Sequence, residues 1–140
     1  MILNAHVIAI AFWLGVVGAE FVIERSRTAG KAHGYEVARI HYRIDLFLEI
    51  PALMAILITG FVLLSHVAMS TLLIVKVAAG LAVIGANLVC TVPVVLRKRA
   101  AERDDLAAVM RYSRAIDLTA VVGAPAALVA LIIGAFLLRA

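Results

Sequence analysis

The sequence predicts an all-α, integral membrane four-helix bundle with both termini on the outer side, on three observations. Of its 140 residues, 65% are hydrophobic and only 16% are charged, which excludes both an ordinary soluble domain and a disordered chain. Four apolar runs, at about 2–23, 44–64, 71–96 and 116–138, each reach the roughly 20 residues that a helix needs to cross a bilayer. The basic residues gather in two links: Arg25, Arg27, Lys31, Arg39 and Arg43 in the first, and Arg97, Lys98, Arg99, Arg103, Arg111 and Arg114 in the third. Only Lys76 and Arg139 fall towards the other side. The positive-inside rule then places both links in the cytoplasm, as in a multi-pass protein of a bacterial inner membrane.

The short links predict one transmembrane domain over residues 1–140, with no extramembrane domain. A net charge of +4 reports that topology and contact with anionic lipid headgroups, with no nucleic-acid partner expected. No Lys or Arg precedes the first run, so it is expected to be a retained span and not a cleaved signal. The single Cys90 cannot close an internal disulfide.

Helical spacing assigns a polar stripe to each span. In the first, His6, Trp13 and Glu20 are separated by sevens and share one stripe, which Glu24 extends. In the second, His41, Asp45 and Glu49 are separated by fours and line one stripe. In the third, Lys76, Gly80, Val83, Asn87 and Thr91 share a face. The fourth opens at Asp117, just after Arg114, and carries small residues at Gly123, Ala127 and Ala130 that would allow close packing and a homodimer. Pro51, Pro93 and Pro125 fall inside spans, where they are expected to kink helices or free backbone carbonyls. Trp13, at mid-depth, is expected to be core packing.

Depth sorts these residues into two groups. At about 1.5 Å per residue, Glu20 lies roughly 7 Å inside Arg25 and Glu49 roughly 9 Å inside Arg43, so the two can be level. His6 lies about 21 Å from Glu20 along its helix, towards the other end, where Lys76, Ser65 and His66 are candidate partners. A carboxylate near hydrocarbon needs a counter-charge, a proton or a metal. Three readings of the acidic cluster are therefore open. Arg25, Arg39, Arg43 and Arg114 neutralise it by snorkelling and salt bridges. Alternatively it holds divalent metal, as inward carboxylates and imidazoles do in helical bundles, with Glu20 and Glu49 bridging two ions and Glu24, His41 and Asp45 as terminal ligands. In the third reading it forms a proton relay or ion path, as in a transporter or a non-catalytic membrane subunit.

Several short patterns bear on the choice. His6, six residues and Trp13 are followed by Leu14-Gly15; Pro51-Ala52-Leu53-Met54 is followed by Gly60; Lys76 opens the third span, and Arg114 to Asp117 precede the fourth. Through these the chain resembles the HemJ-type protoporphyrinogen oxidases and the related CopD-like membrane proteins, across most of its length. That resemblance implies a small helical bundle, haem b and an oxidoreductase acting on porphyrin or quinone, with His6 as the haem ligand. The family pattern has a histidine eleven residues after the lysine, where this sequence has Asn87. Asn is a poor axial ligand, so haem would need His6 with His66 or a ligand from a second chain.

The expectation that follows is a membrane metalloprotein with a non-haem, dinuclear site of iron, manganese or zinc near the cytoplasmic face. Its ligands are Glu20, Glu24, His41, Asp45 and Glu49, with Asn87 and Asp117 orienting them. The expected partners are quinone and a small oxidant such as oxygen or superoxide.

Overall fold

The computed structural model describes residues 1–138, so Arg139 lies outside the described residues. Helix α1 spans Ile2–Ser26 and ends in a 3-10 turn at Arg27–Ala29. Helix α2 (Lys31–Ile44) passes through a π-turn at Asp45–Glu49 into α3 (Ile50–Leu64). Helices α4 (Thr71–Glu102) and α5 (Leu106–Leu137) complete the chain. Four stretches, Ile2–Ala29, Lys31–Leu64, Thr71–Glu102 and Leu106–Leu137, are long and apolar enough to cross a membrane, as in a multi-pass membrane protein.

The apolar runs mark these spans, but the helices run well past them. Hydropathy falls at Arg39 and Arg97, yet backbone hydrogen bonding is indifferent to side-chain charge, so α2, α4 and α5 extend beyond the apolar stretches. The links expected to be short and loose are therefore largely helical. Tyr35, Ala38, Ala100, Ala101 and Val109 form a small core between these extensions. A second core, Trp13, Ala52, Leu53 and Val83, lies within the bundle.

Local chemistry sets the breaks. Gly30 supplies the extended φ of 156° between α1 and α2, a value that costs glycine little. Ser70 caps α4 by accepting from the Leu73 amide, and Asp105 caps α5 by accepting from the Ala108 amide. Asp104 turns the chain between them at φ 60°, a left-handed position that Asp tolerates. Its carboxylate takes Lys31 Nζ at 2.9 Å, and that contact holds the acid below the usual carboxylate range.

Pro51 explains the π-turn. Proline has no N–H to donate four residues back, and its ring crowds the carbonyl there. The backbone widens instead, with the Ile50 amide bonded to the Asp45 carbonyl. Pro93 and Pro125 are carried inside the continuous helices α4 and α5.

The outer surface is apolar: Phe12, Phe21, Phe47, Phe61, Leu118 and Phe136 are all exposed. Charged and polar side chains occupy the interior, among them His6, Glu20, His41, Asp45, Glu49, Arg97 and Ser113. The small-residue face of α5 turns inward, since a Cβ on Gly123 would meet the Ala86 Cβ at 3.6 Å.

Gly34 marks the tightest approach at the first link, where a Cβ would lie 2.9 Å from the Arg27 carbonyl oxygen. Gly34→Ala should lower stability by about 1–3 kcal/mol through this clash. Gly15→Ala, with nothing within 4 Å of the added carbon, should cost nothing and serves as the control. Thermal unfolding in detergent distinguishes the two, and equal melting temperatures would refute the clash.

Candidate metal centre

The stripes read from the sequence are the buried stripes of the structure. Glu20 lies on α1, His41 on α2, and Asp45 and Glu49 in the π-turn, all buried. In a regular helix, residues four apart drift by about 40° per step. A π-turn advances less per residue, which offsets that drift and keeps His41, Asp45 and Glu49 on one side.

The residue that organises the cluster is Arg97, at the end of α4 and only 1% exposed. Its Nη1 and Nη2 donate to the Glu24 carboxylate at 2.9 and 2.5 Å, the two-pronged geometry that guanidinium groups favour. Nη1 also donates to Ser113 Oγ on α5 at 3.3 Å. Arg27 Nη1 reaches the same Glu24 carboxylate at 3.0 Å and ties it to Asp117, 2.6 Å from Nη2. Glu24 is thus held by two arginines.

These are not the arginines expected as counter-charges. Arg25 stacks over Phe21 at 4.5 Å and Arg39 pairs with Glu36 at 3.2 Å. Neither Arg43 nor Arg114 forms an ion pair among the described residues. Arg97 was placed by its charge in a cytoplasmic link, but it shares a helical face with the buried Val94 and Ala101, at spacings of three and four. That periodicity was the available signal. Ser113 carried no signal of its own.

His41 joins the arginine half of the cluster to its acidic half. Its Nδ1 lies 2.5 Å from Glu24 Oε1. An ionised carboxylate can only accept, so the proton belongs on Nδ1. Arg97 Nη2, 2.8 Å from the same nitrogen, is then a neighbour and not a donor to it. Nε2 faces Asp45 Oδ1 at 3.2 Å and Glu20 Oε1 at 3.8 Å. Both of those oxygens are buried without a hydrogen-bond partner. Glu20, His41 and Asp45 each offer a ligand atom, all within 4.8 Å of one another.

The remaining expected residues stand elsewhere. Glu49 accepts from Trp13 Nε1 at 2.9 Å, so Trp13 is a hydrogen-bond donor to the cluster as well as core packing. Asn87 Nδ2 donates to its own helix at the Val83 carbonyl, 3.1 Å away. Asp117 is half-exposed and engaged by Arg27. His6 is remote from the cluster and pairs with Thr59 Oγ1 at 2.8 Å, not with Lys76, Ser65 or His66.

Removing Arg97 strands the buried Glu24 with Arg27 alone, so Arg97→Met should cost roughly 3–5 kcal/mol. Adding Glu24→Leu should recover most of that loss, because the uncompensated charge goes with it. Chemical denaturation of both variants in detergent reads the difference; a double variant no more stable than the single one would refute the pairing.

The chain matches no family model, no curated protein and no solved structure.

Proposed function

We propose that the chain is a membrane metalloprotein whose centre binds one first-row divalent ion through His41 Nε2, Glu20 and Asp45. One observation carries the reading. His41 presents Nδ1–H to a carboxylate and Nε2 to two partnerless buried oxygens. Metal-bound histidines are oriented in this way, the second nitrogen donating to a carboxylate that fixes the tautomer. Here Glu24 is that carboxylate, and Arg97 and Arg27 fix Glu24 in turn.

A proton on Nε2 is the competing way to reconcile a lone pair with two oxygens. It fits less well, because Asp45 Oδ1 lies within reach at 3.2 Å yet forms no hydrogen bond. Charge points the same way. Glu20, Glu24, Asp45, Glu49 and Asp117 face the guanidinium groups of Arg27 and Arg97, so the carboxylates exceed the fixed cations. With Glu24 and Glu49 engaged by Arg97 and Trp13, three donors remain, enough for one ion with open coordination positions. This departs from the dinuclear site expected from the sequence.

Two carboxylates and one imidazole suit iron, manganese or zinc and disfavour copper(I). A redox role in a bacterial inner membrane, with the basic end cytoplasmic, is the function this site supports best. Elemental analysis of the purified chain should find about one ion per chain. Asp45→Asn and Glu20→Gln should abolish it, and Glu24→Gln should weaken affinity about 10–100-fold. Asn87→Ala should leave binding intact. A wild-type chain that holds no iron, manganese or zinc after reloading would end the reading.

A further inference from the structure

The opposite half of the bundle contains a second feature that the metal reading does not use. A cavity of about 170 Å³ lies between α1, α3, α4 and α5, with walls that are almost wholly apolar. Its polar side chains are His6 and Lys76. Each is seated against a glycine. A Cβ on Gly60 would lie 3.3 Å from His6 Cε1, and a Cβ on Gly134 would lie 3.1 Å from Lys76 Cε. The two glycines therefore make the room that places two polar groups in an apolar chamber.

Hydrogen bonding fixes what each group offers. Thr59 spends its hydroxyl proton on the Ala55 carbonyl at 2.6 Å, so at 2.8 Å from His6 Nδ1 its oxygen accepts. His6 therefore carries its proton on Nδ1, and Nε2 keeps a lone pair with no partner among the described residues. Lys76 forms no ion pair or side-chain hydrogen bond among the described residues, and its ammonium group is a pure donor. The chamber presents one acceptor and one donor.

Size and access narrow the ligand further. An apolar cavity of about 150 Å³ is known to take a benzene ring, so this one has room for one six-membered ring. A porphyrin is several times too large for it. Phe61 and Val67 line the cavity and are exposed on the apolar surface, which opens it towards lipid.

We propose that this cavity binds the hydroquinone ring of a lipid-soluble quinol. One ring hydroxyl donates to His6 Nε2, and a ring oxygen accepts from Lys76. A long-chain carboxylate offers only acceptors and leaves the His6 lone pair unmatched. The oxidised quinone, also acceptor-only, has the same defect, so the reduced form binds more tightly. Trp13 closes the inner end of the cavity and donates to Glu49, so a bound ring lies one side chain from the acidic cluster. The ring site does not depend on the metal reading.

The test uses the full chain in detergent, stripped of metal by chelation so that the two readings are judged separately. Trp13 is the only tryptophan and lines the cavity, so its fluorescence reports occupancy. Titration with a short-chain alkyl benzoquinol under anaerobic conditions should quench it saturably. The matching benzoquinone should bind about five- to tenfold more weakly, the loss of one hydrogen bond. His6→Phe should remove that preference, and Lys76→Met should weaken both forms. Gly60→Leu and Ala127→Leu, which fill the cavity, should each abolish saturation in chains whose circular dichroism is unchanged. Equal affinity for quinol and quinone would overturn the proposal. So would unchanged quenching in the filled variants, equal competition by oleate, or a haem Soret band from the purified chain.

Discussion

The ion pair between Arg97 and Glu24 is the constraint around which the rest of the basic end is arranged. Arg97 is the largest fully buried side chain of the chain, and a buried guanidinium without a partner is costly by several kcal/mol. Satisfying it requires α1 to deliver Glu24, α2 to bring His41 alongside and α5 to present Ser113. Four helices converge on one charge. Their relative heights are set there more firmly than by the apolar contacts, which are small residues and adapt easily.

The inside of this molecule is more polar than its outside, the reverse of a soluble protein. In hydrocarbon, Phe or Leu gains little by facing inward, so apolar residues are free to cover the surface. Polar groups have the opposite preference and collect between helices. This is why a few periodic polar residues carried so much information. The sevens of His6, Trp13 and Glu20 and the fours of His41, Asp45 and Glu49 gave the inward faces directly.

What the sequence hid is equally physical. Charge density labels a link but does not say which of its members turn inward, so Arg97 looked no different from Lys98 and Arg99. Helix ends were hidden because apolar runs report lipid contact and not backbone hydrogen bonding. The π-turn was visible only in part: Pro51 announced disturbed backbone near Glu49, but whether the helix kinks or widens depends on packing. The partner of His6 was missed because Thr59 is an unremarkable residue in an apolar run, and threonine hydroxyls usually bond back to their own helix, as this one also does.

That widened turn has a bearing on how the chain tolerates change in length. It contains one residue more than an α-helix would need between His41 and Ile50, so it can be viewed as an insertion absorbed locally. Deleting one position there would restore uniform backbone bonding and yet rotate everything beyond it by about 100°. Thr59 and Gly60 would swing away from His6, while His41 kept its place. The two halves of the bundle are thus phased against one another by a single surplus residue.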